Sequence, residues 1–335
     1  MIKINKHIEV ARTTTTGLSS MSLPSCAAIY AILKRHYTSV GVSNVNNLDD
    51  LKALVAKQPD LVFMGLKYLP HGTSKLWVSS YLEAHGIAHS GSPANAIQRE
   101  QSKPLAKQRV QQAGLKTAAF QTVYDTTLLS SQLNVGFPVF VKPTGLGGGA
   151  GVDEFSIAHS LTALNDKLQA LATSYTGPAL VEEYLPGREF SVAVLKRANG
   201  SGYLVMPIEM KPSADVHGDY ILSLALKSGE TETPVVAVAE GSVKRSIMRL
   251  ALASFLALGG RDYGRIDIRL DATGTPHFLE ANLIPGLINN SGNFPKACAI
   301  NEGMSHEAVI LAIVSLGLQR ATTKPRPEPV PAALV

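Results

Sequence analysis

The sequence predicts an α/β protein of more than one domain, and three observations carry that expectation. The chain has 335 residues, of which 45% are apolar and 17% charged, enough to bury more than one core. Its first part alternates strand-like and helix-like segments, the pattern of a parallel sheet with crossover helices. Further along, apolar strands are paired across turn signals, which gives the later part an α+β character.

In chain order, residues 2–10 alternate apolar and polar side chains, as a half-buried strand does. Residues 25–37 and 48–57 place apolar side chains at helical spacing, and PDLVFMGL reads as a buried strand. Residues 74–85 read as a helix closed by Gly86. The polar stretch 92–101 reads as a boundary. A helix follows, with Ser102 as N-cap, Pro104 in its first turn and Gly114 beyond its end. FPVFVKP is a short buried strand, 157–172 a helix, and ALVEEYL and REFSVAVLK are strands separated by Pro186-Gly187. An apolar helix over 243–258 stops at Gly259-Gly260. GRIDIRLD and PHFLEAN form two strands around a Thr-Gly turn, and 305–316 is the last helix.

Composition narrows the function. Cys26 and Cys298 stand far apart with no CxxC, so they read as small buried side chains rather than a disulfide framework. The nine histidines show no HxxxH or HExxH spacing, which argues against zinc. Net charge is +5 and the pI about 9.1, but the basic residues are dispersed. That gives mild attraction for anions such as nucleotides and excludes the clustered basic and aromatic surface of a nucleic-acid binder. The densest basic patch is the Pro-rich stretch 322–331, expected to be disordered together with the rest of 321–335. No apolar run approaches a membrane span, and MIKINKHIEV lacks a signal-peptide pattern; a cytoplasmic protein without membrane contact is expected.

The most informative segment is GRIDIRLDATGTPHFLEANLIPG. Residues two apart on a strand share a face, so Arg265, Asp267 and Arg269 face one way and Ile266, Ile268 and Leu270 the other. On the second strand Phe278, Glu280 and Asn282 are expected on one face. A hairpin symmetric about Thr273-Gly274 sets Asp267 opposite Glu280 and Arg265 opposite Asn282, with Cβ atoms about 4.5–5.5 Å apart. Two carboxylates that close repel unless a cation lies between them. Mg²⁺, with Mn²⁺ as the alternative, suits an oxygen set of Asp267, Glu280 and Asn282. Arg265 is placed to stabilise developing negative charge. A surface hairpin with solvated charges is the plainer alternative.

A second signal is Lys142 at the end of a buried strand, followed by a loop with five glycines over 144–151. Such a loop can lay backbone N–H groups over phosphates, and a buried lysine calls for an anionic partner. VEEYLPGREF adds Glu182, Glu183 and Glu189.

In this order, the pieces resemble the ATP-grasp superfamily, specifically D-alanine–D-alanine ligase and its relatives, over residues 22–316. The resemblance implies a three-domain ATP-grasp fold: an N-terminal substrate domain (1–92), a central subdomain (93–185) and a C-terminal subdomain (186–320). It implies that Lys103, Lys142 and the loop residues Gly147, Gly148 and Gly149 contact ATP. Glu182 would accept the adenine amino group, beside Glu183 and the backbone of Tyr184 and Leu185, and Glu189 would hold the ribose. Asp267, Glu280 and Asn282 would ligate Mg²⁺, Arg265 would hold the transferred phosphoryl group, and the Gly286 N–H would serve an oxyanion site. The implied activity joins a small-molecule carboxylate to an amine through an acyl phosphate, releasing ADP, in a homodimer.

The sequence departs from the family in its substrate half. Ser20 stands where the family has a glutamate that holds the first amino group. Gly148 replaces a supporting serine, and Leu224 the tyrosine that completes the triad. Ser223 replaces a phosphate-contacting lysine, for which Lys227 is the available substitute. The HG motif is altered to GLKYLPHG, making Lys67, Tyr68 and His71 candidate substrate contacts, with Asn290 and Ser291 beyond Gly286. A site without its carboxylate anchor binds a free ammonium poorly, so a first substrate other than D-alanine is expected. An ordinary D-alanine–D-alanine ligase, an ATP-grasp kinase and a non-catalytic nucleotide-binding protein stay open as alternatives.

Overall fold

The computed structural model describes residues 2–15, 17–18, 20–147, 149–211 and 234–323. Three sheets organise it. The first is parallel, in the order β2–β1–β3, from β1 (Ile4–Arg12), β2 (Tyr37–Asn44) and β3 (Leu61–Met64). Helices α1 (Leu23–His36) and α2 (Leu48–Ala56) make the crossovers. β1 lies in the middle, so its later residues are buried without alternation, as befits a strand covered on both faces. Strand β2 was not foreseen, because its alternation of small polar residues and valine resembles a loop as much as an edge strand.

Residues 74–85 are not one helix. Ser74–Trp77 is a strand, β5, paired with β4 (Tyr68–His71) around Gly72, whose φ is +58°. The pairing brings the Tyr68 and Trp77 rings to 5.4 Å between centroids, and only Val78–Ala84 is helical, as α3. The expected boundary at 92–101 holds another helix, α4 (Ala94–Gln101), which buries Ala96, Ile97 and Glu100. Helix α5 (Lys103–Gln112) follows at once. Ser102 occupies its N-cap position without a side-chain capping bond.

The second sheet is antiparallel, in the order β6–β9–β7–β8: β6 (Phe120–Val123), β7 (Val139–Pro143), β8 (Ile157–Ala158) and β9 (Ala179–Glu183). Residues expected to start a helix at 157 form β8 instead. The Ser160 hydroxyl accepts the Ala163 N–H at 3.2 Å, so α6 (Leu161–Ala172) starts there. The third sheet runs β12–β11–β10–β13–β14, from β10 (Glu189–Lys196), β11 (Tyr203–Met210), β12 (Val235–Ala237), β13 (Tyr263–Leu270) and β14 (Pro276–Asn282). Phe190, Val192, Ile266 and Ile268 face α7 (Ser242–Ala257). The opposite face of β10 and β13 carries Ser191, Ala193, Arg265 and Asp267. Part of that face is closed by α8 (Asn293–Glu302), α9 (His306–Thr323) and the first sheet, which share one core with it. The open part becomes the site. No single helix among the described residues is long and apolar enough to cross a membrane.

Candidate active site

The hairpin β13–β14 pairs Asp267 with Glu280 and Arg265 with Asn282, as its symmetry predicts. The register slips by one between Asp267 and Ile268, because Ile268 pairs with Phe278 and leaves Leu279 as an extra residue. The expectation for Phe278 therefore fails. It is fully buried with Ile266, Ile268 and Ala281 on the apolar face, whereas Leu279 and Glu280 both line the cleft. The bulge is the physical reason, since it reverses the alternation within one step.

Asp267 receives three hydrogen bonds: Arg265 Nε at 3.0 Å, Arg265 Nη2 at 2.8 Å and Ser191 Oγ at 2.8 Å. Burial works against the charge on Arg265, but Asp267 outweighs it and holds the guanidinium above its ordinary range. Asn282 Nδ2 is buried without a hydrogen-bond partner. Turning the amide over would put its oxygen there instead. Among the described residues no three His, Cys, Asp or Glu side chains converge. The hard oxygen set is instead two carboxylates and an amide, which fits Mg²⁺ when substrate oxygens or water complete the shell. The orphaned amide points the same way.

Beside the hairpin lies a cleft walled by Phe140, Val152, Tyr184, Leu185 and Leu279, with Lys103, Lys142, Glu182, Glu183 and Glu189 as its charged groups. Lys142 Nζ lies 2.5 Å from Glu182 Oε1, and Lys107 Nζ lies 2.7 Å from Oε2. Burial alone would raise the Glu182 carboxyl, but Lys107 and Lys142 pull it below the usual range. Glu182, expected to accept an adenine amino group, is therefore already paired with two lysines. Both oxygens already face ammonium groups, although a carboxylate keeps further lone pairs. Lys107 was missed in the sequence. It is fully buried and also donates to Thr117 Oγ1 at 2.7 Å. The available signal was its spacing, one helical turn beyond Lys103 on the same face of α5. Lys103 itself donates to the Leu146 carbonyl, and burial lowers its ammonium pKa against the pull of Glu280. Glu189 pairs with Arg269 at 3.3 Å.

The glycine loop hangs over the junction. Gly149 and Ala150 line the cleft, Gly145 and Gly147 line a second cavity, and Leu146 touches both. Gly149 and Gly151 have φ of +84° and +77°, and a Cβ at Gly151 would meet Pro143 Cγ at 2.6 Å, so glycine is required there. Gly148, Ser223, Leu224 and Lys227 lie outside the described residues, as does all of the tail beyond Thr323.

The second cavity joins the cleft through Glu189 and Asp267. It collects the candidates Ser20, Lys67, Tyr68, Gly286 and Ser291 with Arg265 and Asn282. A Cβ on Gly286 would meet nothing within 4 Å, so its backbone faces open space. Lys67 Nζ donates to Glu100 Oε1 at 2.6 Å. Two candidates are not brought in. His71 sits exposed in the β4–β5 hairpin, and Asn290 lines a separate groove against α1. Lys296, absent from the sequence-derived set, lines the cavity from α8.

A family model described as the C-terminus of D-ala D-ala ligase matches residues 109–315. The D-alanine–D-alanine ligase of Bordetella petrii is 30% identical over 270 residues, covering 79% of this chain and 78% of that protein. D-alanine–D-alanine ligase A of Mesorhizobium japonicum is 31% identical over 249 residues, covering 72% and 67%. Among solved structures, the D-alanine–D-alanine ligase of Bacillus anthracis complexed with ATP superposes with a TM-score of 0.74 at 22% identity, covering 96% of this chain and all of that one.

Proposed function

The chain belongs to the D-alanine–D-alanine ligase family of ATP-grasp, ADP-forming ligases, and from that premise we propose that it joins a carboxylic acid other than D-alanine to an amine. The observation that carries the second part is the wall of the substrate cavity. Ser20 lines it where the resemblance calls for a glutamate. The carboxylates among the described lining residues, Glu189 and Asp267, are each tied to an arginine. Among the described lining residues an amino acid's ammonium finds no dedicated anionic partner, and burying it unpaired is costly.

In this reading ATP lies in the cleft, its adenine between Tyr184–Leu185 and Leu279 and its phosphates under the glycine loop. Lys103 and Lys142 offset the phosphate charge, which positions the γ-phosphoryl group with little covalent work by the protein. Asp267, Glu280 and Asn282 would hold the divalent ion. When bound, it neutralises phosphate oxygens and polarises the group to be transferred. The acid's carboxylate oxygen takes the γ-phosphoryl group, and ADP leaves. The amine nitrogen then attacks the acyl carbon and gives up a proton, and phosphate departs as the amide forms. Arg265 and the Gly286 N–H face the charge that develops on the acyl oxygen. Ser191 and Arg265 together orient Asp267.

The test is ADP release with Mg²⁺-ATP against D- and L-amino acids, singly and in pairs, with mass analysis of products. Amide formation that does not need D-alanine is expected. Efficient synthesis of the D-alanine dipeptide would overturn the substrate assignment and leave the family assignment intact.

A further inference from the structure

Lys67 lies at the cavity wall in the bend just before β4, and its side chain is 16% exposed. Glu100 holds it from behind. That carboxylate comes from α4, is 4% exposed and does not line the cavity. Only Oε1 meets Lys67, and Oε2 is buried with no hydrogen-bond partner. An ammonium has three donors, so one bond to Glu100 fixes its direction and leaves two N–H groups for the cavity. Lys75 stands next to this pair. It packs over the Tyr68 ring at 4.4 Å and is close enough to feel the charge of Lys67. Glu100 meets Lys67 through one oxygen only, so Lys67 presents a held cation to this end of the cavity. Tyr68, held between Trp77 and Lys75, gives the same end a fixed wall. At the other end, Arg265 faces the reacting acyl group, while Asp267 and Asn282 are taken up by the divalent ion.

We infer that the acid substrate carries a second carboxylate, bound by Lys67, in place of a free α-ammonium. The inference rests on the reading of the site as that of a carboxylate–amine ligase and names the class of acid it takes: a dicarboxylate, or an acidic amino acid whose nitrogen is acylated. An ammonium group placed at this end would face Lys67, with no carboxylate beside it among the described lining residues to receive it. A second carboxylate there accepts the donors that Glu100 leaves unused. Glu100 is a positioning residue and Lys67 the specificity-determining contact.

The test separates this from the underlying reading by trapping the activated acid with hydroxylamine, so that the natural amine is not needed. Wild-type protein with Mg²⁺-ATP is offered D-alanine, N-acetyl-D-alanine, N-acetyl-D-glutamate, N-acetyl-L-glutamate and glutarate, and hydroxamate and ADP are measured. The expected result is a kcat/KM for at least one acid with two carboxylates that exceeds those of D-alanine and N-acetyl-D-alanine by tenfold or more. In Lys67→Met that advantage falls tenfold or more through KM for the acid, with KM for ATP unchanged, and Lys67→Arg restores part of it. Should Lys67→Met fold poorly over an unpaired Glu100, the double variant Lys67→Met/Glu100→Gln removes both charges and is expected to show the same loss. A preference for D-alanine, or a ratio indifferent to Lys67, overturns the inference while leaving the ligase reading in place. No hydroxamate from any of the five acids counts against the ligase reading itself and takes the inference with it.

Discussion

Glu182 and Glu100 are both buried carboxylates bonded to lysine, one at each end of the joined cleft and cavity, and they are built differently. Glu182 has an ammonium at each oxygen, Lys142 at 2.5 Å and Lys107 at 2.7 Å. Glu100 has one, Lys67 at 2.6 Å from Oε1, and no ammonium pairs with its Oε2 among the described residues. Burial raises the pKa of both. Two lysines overcome that for Glu182 and bring it below the ordinary range, whereas Lys67 does not overcome it for Glu100, which stays above. The cleft end has its buried carboxylate paired with two cations before any ligand arrives. The acid end holds a cation in place with donors to spare. A closed network rigidifies a shared chemistry, and an incomplete one leaves room for selection among substrates.

The largest loss is expected at Arg265, which holds Asp267 where cleft and cavity join. Arg265→Ala removes both bonds from the guanidinium to Asp267 and the charge facing the acyl oxygen. Loss of a pre-organised donor of this kind costs roughly 10²–10³ in rate, so ADP release is expected to fall at least a hundredfold. Unchanged turnover would sink the assignment of this face as the reaction centre.

The next largest effect separates the two carboxylates directly. Removing one partner of a buried ion pair costs roughly 3–5 kcal/mol, and Glu182→Gln leaves two buried lysines behind, so its unfolding free energy drops by about that amount near neutral pH. The pH dependence has opposite sign at the two sites. Glu182 titrates in the fold below its reference value of 4.5, so its contribution is complete above that pH and is lost as the pH falls through the lower, folded value. Glu100 titrates above 4.5, so its contribution is complete below that pH and is lost as the pH rises through the higher, folded value. Urea unfolding between about pH 4 and about pH 7 checks this. The stability of wild type over Glu182→Gln should widen as the pH rises, and that over Glu100→Gln should shrink. Parallel trends would mean that the two pairs do not differ as described.

How much of this was legible in the sequence follows the same division. The pairing of Asp267 with Glu280 and of Arg265 with Asn282 was readable because side chains on a strand repeat every two residues and the Thr273-Gly274 turn sets the centre. The bulge at Leu279 was not, since an extra residue in a strand leaves no mark on composition, and it sends Phe278 to the core. Lys142 and the glycine loop announced themselves. Lys107 did not, because a lysine on a helix reads as solvated until the fold places Glu182 against it. Residues 68–77 were the hardest. The hairpin there depends on Trp77 packing against Tyr68, a contact that helical spacing over 74–85 conceals. The acid end is assembled from distant segments, and the pairing of Lys67 with Glu100 spans 33 residues.

Ser191→Ala is expected to act more gently. Its hydroxyl gives Asp267 the third hydrogen bond, at 2.8 Å, from the neighbouring strand. Hydrogen bonds to charged groups contribute roughly 1.5–3 kcal/mol, but Arg265 still holds Asp267, so the lower end applies and turnover should fall about tenfold. KM for the acid should barely move, because Ser191 acts through the orientation of Asp267. A change confined to KM for the acid would instead place the hydroxyl against the substrate.

The smallest effect belongs to His71, and its smallness is informative. The sequence groups it with Lys67 and Tyr68 in one altered motif, but the structure divides the three. Lys67 and Tyr68 line the cavity, while His71 closes the β4–β5 hairpin on its exposed side, paired with Ser74 through the backbone. The Ser74 hydroxyl donates to the His71 carbonyl, a bond that any residue at this position retains. Surface substitutions of this kind usually stay within about 0.5 kcal/mol, so His71→Ala is expected to leave stability, ADP release and acid preference within about twofold of wild type. If His71→Ala shifts acid preference as Lys67→Met does, the hairpin closes over the cavity during the reaction. The acid end then extends to the tip of β4, and the cationic wall at Lys67 is only part of it.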